Sequence, residues 1–319
     1  ESRQRRFASN SFSRAGSWLM RDGVAVQRRH ISAQFVRSRT RDDPFRAEGI
    51  MHDVDLHSAA RRCLEAAQPG LKCTLTRQFV AEYRAGNLSH GESCDLPHPI
   101  ANPGRPHRPL LVEPRSLPKH GLGSIEGRAA LVHAIAHIEF NAINLAWDAI
   151  YRFRDMPAGF YADWVSVAED EARHFCMLEA RLAELGFSYG DFDAHNGLWE
   201  MAVLTADSCL RRMALVPRVL EARGLDVTPG MISRLRSVGD SKTADILEII
   251  LREEVDHVAA GSRWFAWCCE RDGADSRAMF SDLVDSLARG SLKGPFNVEA
   301  RLRAGFTQAE LAQLQILAA

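Results

Sequence analysis

Long apolar runs are missing from this 319-residue chain. No stretch approaches the roughly 20 uninterrupted apolar residues that a membrane-crossing helix needs, so no spanning segment and no membrane partner are expected. Cysteine is sparse and unpatterned. The seven cysteines form no Cys-x-x-Cys pair, and the adjacent Cys268 and Cys269 cannot easily bridge. That argues against a disulfide framework and for a reduced, cytoplasmic compartment. Also missing are any flavin or nicotinamide fingerprint and any alternating strand or hairpin pattern.

What is present begins with a division of charge. The formal net charge is −1, but residues 1–50 hold 11 arginines, no lysine and five acids, for +6. The remaining 29 bases and 36 acids leave a body of −7. A mildly acidic body does not favour broad nucleic-acid binding. The Arg- and Ser-rich segment 1–50 has three readings: a mitochondrial-type transit peptide, a disordered basic arm, or extra translated sequence before a natural start at Met51. The third is preferred, because the segment opens without Met and the patterned body begins at about Met51. The first would move the protein to mitochondria. In all three the segment stands outside the fold.

The body reads as helical throughout. Two short amphipathic helices are expected from Asp55 to about Gln68 and from Thr74 to about Ala85. Seven of the 13 prolines then fall within residues 86–123, which marks a wrapping segment or linker rather than a helix or central strand. Four long helical patterns follow, at about Ser124–Phe153, Ala158–Leu185, Leu198–Arg223 and Asp240–Arg271. Gly186, Gly224 and Gly273 serve as stops and Asp240 as an N-cap. Pro217 predicts a kink or bulge in the third. Thr228 and Pro229 predict the start of a minor helix, and Thr307 with Glu310 a capping box before a last short one. The expected architecture is all-α: a four-helix bundle over 124–273, preceded by 51–123 and followed by a helical extension over 274–319.

Two of the long helices carry the same motif. Glu171-Ala172-Arg173-His174 lies in the second and Glu254-Val255-Asp256-His257 in the fourth. Positions i and i+3 share a helix face, so each Glu and His can reach one point. A lone Glu-x-x-His recurs by chance in chains of this length; the surroundings give it meaning. Trp164, Val167, Ala168, Leu178 and Leu182 share the face of the first pair. Ile246, Ile250, Gly261 and Trp264 share the face of the second. Carboxylates on such faces must be paired or bound to metal. Glu169, Asp170, Glu253 and Asp256 fall on other faces and are expected to take no part.

Each pair has an upstream partner. Glu139 interrupts an apolar stripe of Ile135, Ile138, Ala142, Ile143 and Ala146, and lies 32 residues before Glu171. Glu221 follows Leu210, Met213, Ala214 and Pro217, near the expected helix end, and lies 33 residues before Glu254. Glu from two helices and Glu-x-x-His from two others is the ligand set of di-iron and di-manganese carboxylate bundles. Glu139, Glu171, His174, Glu221, Glu254 and His257 are therefore the expected metal ligands, for two iron ions or, alternatively, manganese. A second polar seam of His133, His137, Asn141, Asn144 and Asp148 predicts interhelical bonding or support around the ligands. Trp147, Trp199, Trp264 and Trp267 are read as packing.

Several strings resemble the ferritin-like family catalogued as DUF455. They are Gly121-Leu122-Gly123-Ser124, Glu126 to Leu131, His133 to Phe140, Asn196 to Met201, Met213 to Pro229, and Gly294-Pro295-Phe296-Asn297. The likeness spans roughly residues 56–319. It implies a ferritin-like fold and metal ligation at the same six positions. It departs at Arg173, where the family pattern leads one to expect an aromatic. The family resembles, more distantly, ferritin-like tRNA hydroxylases.

The expected function is an O2-dependent oxidoreductase or hydroxylase acting on an unidentified small molecule, with an external electron donor. Glu171 and Glu254 would bridge the metals, and Glu139 and Glu221 would be terminal. Two alternatives stand beside it. Iron or peroxide handling predicts a cage-like oligomer, whereas the Pro-rich wrap and terminal helices suit a monomer or dimer. A non-catalytic binding module predicts partner binding that survives metal removal.

Overall fold

The computed structural model describes residues 55–90, 97–288, 290 and 292–318; the readings of residues 1–50 and of Met51 lie outside them. The described residues form helices α1 (Leu56–Glu65), α2 (Pro69–Arg84), α3 (Ile125–Arg152), α4 (Ala158–Glu184), α5 (Gly197–Leu204), α6 (Cys209–Leu215), α7 (Ala222–Ser237), α8 (Ser241–Arg271), α9 (Ser276–Leu283), α10 (Val298–Arg303) and α11 (Gln308–Leu317). No strand occurs among them; Leu111 and Ala194 make an isolated bridge. The all-α class is as expected.

Two helical hairpins position the site. α3 packs along α4, and α6 and α7 pack along α8; the hairpins meet where α4 touches α8. The starts follow the local chemistry. Ser124 caps α3 by accepting from the Gly127 amide at 3.0 Å, and Asp240 caps α8 by accepting from Thr243 at 3.1 Å. α3 is apolar and long enough by composition to cross a membrane, but 78% of its most apolar window is buried within the protein. α2 begins at Pro69, five residues before the expected Thr74, because proline suits the first helical turn.

Residues 97–123 of the Pro-rich segment form an ordered wrap. Gly104 donates to Leu64 O (2.7 Å) and Val112 to Ala194 O (2.8 Å). His98 donates its amide to the Tyr151 hydroxyl, and Ala101 O accepts from the Trp199 indole. A Cβ at Gly104 would fall 2.2 Å from the Glu65 carbonyl oxygen, so only glycine lets the wrap approach α1 this closely.

The third long helix differs most from expectation. It breaks after α5, where Thr205 turns its hydroxyl back onto Met201 O at 2.7 Å and Ser208 caps a new start by accepting from Arg211. Short polar side chains compete here with the helical ladder. Beyond α6 the chain runs through a π-helical turn, Val216–Glu221, closed by the Ala222 amide donating to Pro217 O. Pro217 has no amide to continue the α ladder, so the expected bulge is present. Its ring lies against Gly261 of α8, where a Cβ would come within 2.3 Å.

The helix does not stop at Gly224, and no minor helix starts at Thr228: α7 continues to Ser237 with Pro229 inside it. Pro229 cannot donate to Leu225 O; Asn297 does so instead, at 3.1 Å. A side chain from the C-terminal segment thus replaces the lost backbone bond, which local sequence reasoning does not see. α9 packs on α8, α6 and α11, and α10 on α8 and α7. The capping box at Thr307 and Glu310 is formed as expected.

Candidate metal centre

Helical periodicity turns Glu171 and His174 of α4 and Glu254 and His257 of α8 toward the line where the hairpins meet. α3 delivers Glu139, while Glu221, at the end of the π turn, stands within electrostatic reach of Glu254 and Glu171 but is not among the four residues grouped most tightly. Glu139, Glu171, His174 and His257 are each no more than 3% exposed. Glu139, Glu171, His174 and Glu254 offer ligand atoms that all lie within 4.8 Å of one another, a grouping that could hold a metal ion. His257 joins them: its Nδ1 is 3.0 Å from Glu171 Oε1 and 3.5 Å from Glu254 Oε1. His174 Nδ1 lies 3.3 Å from Glu139 Oε2 and 3.7 Å from Glu171 Oε2. Glu171 therefore stands between the two imidazoles, whose ring centres are 5.8 Å apart.

Three atoms at this convergence are buried without a hydrogen-bond partner: Glu171 Oε2, Glu221 Oε2 and His257 Nδ1. Buried polar atoms are ordinarily satisfied, so each orphan needs an explanation. Here the orphans are two carboxylate oxygens and an imidazole nitrogen, all metal-ligating atom types. The donor set fits a hard or borderline cation.

The electrostatics show what the protein alone must accommodate. Burial, then the negative charge of Glu171, pushes the Glu139 carboxyl well above its usual range. Burial, with Glu254 and Glu171 nearby, does the same to Glu221. Burial also opposes ionisation of Glu171, but the charge of His257 and contacts from both histidines outweigh it and hold this carboxyl below its usual range. Burial opposes charging His174, yet bonds to Glu139 and Glu171 raise it to about 11. Burial is likewise outweighed at His257, by Glu171 first, and its pKa is raised. A cation at this point would relieve the burial and like charge that raise Glu139 and Glu221.

The outward nitrogens are held by crossed supports. His174 Nε2 of α4 lies 2.6 Å from Glu253 Oε2 of α8, and His257 Nε2 of α8 lies 3.4 Å from Asp170 Oδ2 of α4. Arg173 donates to both acids, to Asp170 at 2.7 Å and to Glu253 at 2.6 Å.

The family model described as "Protein of unknown function (DUF455)" matches residues 65–312, well over half of the chain. The chain belongs to the DUF455 family. All six candidate ligands lie inside the matched span. A Haemophilus influenzae relative, described as an uncharacterized protein, is 47% identical over 213 residues, covering 65% of this chain and 74% of its own length. No solved structure matches.

In this DUF455 chain Asp170 and Glu253, expected to stand apart, are the outer partners of the two histidines. Their signal was adjacency: each immediately precedes a candidate ligand, so the next turn of the facing helix can reach it. Arg173, the departure from the family pattern, touches no ligand directly but ties both outer acids together. The polar seam lies elsewhere. His133 Nε2 accepts from the Gly190 amide at 2.9 Å, while His137 bonds Tyr189 and the His195 carbonyl. These two histidines fasten α3 to the 186–196 connection rather than reaching the six residues. Burial lowers both, to about 4, which suits neutral hydrogen-bonding rings. Asp148 of the same seam pairs with the buried Arg212 of α6 at 2.6 Å. Ile138, placed on the Glu139 stripe by periodicity, is 45% exposed. Trp147 and Trp199 are buried and hydrogen-bonded to Thr76 and Ala101, as packing residues should be.

Proposed function

We propose that this DUF455 protein is a two-metal carboxylate oxidoreductase that uses O2 and an external electron donor to oxidise a small organic substrate. The observation that carries the reading is the convergence of Glu139, Glu171, His174, Glu254 and His257 around buried, unpartnered atoms. Ionised for ligation, the four carboxylates would bring four negative charges into an apolar bundle, which two divalent cations would cancel and one would not. Such a pair, iron in this reading and manganese as the alternative, supplies redox chemistry toward O2 that no side chain has.

The chain's own contribution is holding and exclusion. Glu171 and Glu254, each close to an imidazole and to the other half of the site, would hold both cations. Glu139 and Glu221 would close the two ends. Asp170 and Glu253 fix each imidazole so that Nδ1 faces inward. The apolar faces of α3, α4 and α8 keep bulk water from the centre. The side chain of Glu254 is 13% exposed while those of Glu139, Glu171, His174 and His257 are at most 4%, so reactants would approach from its side.

Metal content of the full chain, purified from iron-supplemented cells and measured by mass spectrometry, tests the reading. About two ions per chain are expected, with loss in Glu254→Ala, and substrate-dependent O2 consumption absent from the same variant. A folded, helical protein that takes up no metal after anaerobic Fe(II) loading would overturn it. Ferroxidase turnover by a cage-like oligomer, without organic substrate, would move the assignment to iron handling.

A further inference from the structure

Glu221 is the one candidate ligand held by a π turn, and the residues on both sides of it are gripped by the C-terminal segment. Arg218, 2% exposed, precedes it by three residues. Its guanidinium carbon sits 4.1 Å from the ring centre of Phe280, 4.5 Å from that of Phe306 and 4.8 Å from that of Phe265. Its Nη2 donates to Glu310 Oε1 at 2.6 Å, while Glu310 Oε2 closes the α11 capping box. On the far side Arg301, 1% exposed, donates to both oxygens of Asp226 at 2.9 and 2.7 Å and to the Ala222 carbonyl at 3.3 Å. Ala222 is the residue directly after Glu221.

A π turn holds one residue more than an α turn over the same rise. Relaxation to α register would rotate everything beyond it by about 100°. It would swing Glu221 off the site. Glu221 Oε2 is buried without a hydrogen-bond partner, so no hydrogen bond of its own holds this carboxylate oxygen in place. An aromatic cage around a guanidinium with one short ion pair, and a bidentate pair beside it, are strong directional restraints in a dry interior. The π turn is also backed by Pro217 against Gly261. Pro217 favours a bulge here locally, and the two arginine contacts grip the chain on either side of Glu221.

We infer that Arg218 and Arg301 are positioning residues, through which the C-terminal segment clamps the π turn and holds Glu221 at the metal centre. The inference rests on the two-metal reading above and adds that occupancy of one of the two positions depends on residues 280–310, although Phe280, Arg301, Phe306 and Glu310 touch no ligand.

The test is Mn(II) binding to the full chain, read by stoichiometry and by electron paramagnetic resonance, in wild type, Glu221→Ala, Arg218→Met, Arg301→Met and Glu310→Gln. Wild type should bind two ions with the signal of a coupled pair. Arg218→Met and Arg301→Met should match Glu221→Ala, with one ion and the six-line signal of an isolated Mn(II), while helical circular dichroism is retained. Adding Arg218→Met to Glu221→Ala should then change nothing further. Glu310→Gln keeps the cage and removes only the charge; it should weaken the second ion about tenfold and keeps the test decisive if an arginine variant does not fold. Two coupled ions at wild-type affinity in the folded arginine variants or in Glu310→Gln would overturn the clamp and leave the two-metal reading standing. No ion in wild type would overturn both.

Discussion

Glu253 touches no candidate ligand except through one short contact to His174 Nε2, yet that contact decides which nitrogen of the ring faces the centre. Glu253→Gln keeps the shape and removes the charge. Metal affinity should fall about 10- to 100-fold, measured by competition with a chelator, with helicity unchanged. Arg173→Met, which leaves both acids in place, should have a smaller effect. The protonation pattern gives a second expectation at this scale. In the metal-free chain bonds to Glu139 and Glu171 raise His174 to about 11, so it holds a proton at neutral pH, and His257, Glu139 and Glu221 are shifted in the same upward direction. Ligation needs neutral imidazoles and ionised carboxylates, so loading must release protons. Apparent affinity should therefore fall as pH falls, by about tenfold per pH unit for each proton released. A pH indicator in weak buffer should record acidification when Mn(II) is added.

The element that carries most consequence is the run from α6 through the π turn into α7. Gly261→Ala would drive a methyl group into the Pro217 ring, the one place where α8 makes room for the bulge. Destabilisation of about 1–3 kcal/mol is expected by denaturant unfolding, with weakened binding of one of two ions because Glu221 follows Pro217 by four residues. Asn297→Ala removes both the donor to Leu225 O and the cap of α10. It should cost about 1–2 kcal/mol and fray α7 near Pro229 in hydrogen exchange. The same run marks the limit of what the sequence displayed. The apolar stripes around Glu171 and His174, the Asp240 cap and the Pro217 bulge were all local signals. Gly224 and Pro229 look like punctuation locally because the support for the helix there comes from Asn297 on Leu225 O and Arg301 on Asp226, 72 and 75 residues further along the chain. Arg212, Arg218 and Arg301 carry no local signal, since a buried arginine is defined by its distant acid. Asp170 and Glu253 escape face assignment on a single helix, which does not show the neighbouring one.

At the scale of the whole molecule, the proposed cation binding should be coupled to folding. The bundle brings four carboxylates together against their mutual repulsion, so cations that bind only the folded form should stabilise it. At 100 times Kd the gain is about 2.7 kcal/mol, which for a chain of this size raises Tm by roughly 5 °C or more. Differential scanning calorimetry with and without a chelator would show it; an unchanged Tm in protein known to have lost metal would argue that the acids are compensated by other means. The wrap through Gly104 and Ala194 and the C-terminal helices should unfold with the bundle in one transition, because Gly104 bonds to α1, Ala101 to α5 and Asn297 and Arg301 to α7.

The crossed pairs between α4 and α8 have one more consequence. Each acid lies on the opposite helix from the imidazole it supports, so the pairs measure the alignment of the two helices against each other. α4 and α8 run antiparallel, with Asp163 meeting Arg263 towards one end and Arg181 meeting Asp240 towards the other, so a slide of one residue, about 1.5 Å along the axis, would displace both pairs in the same sense and break both imidazole supports together. The longitudinal register of α4 against α8 is thereby tied to the support of both rings, where apolar packing alone would tolerate several registers.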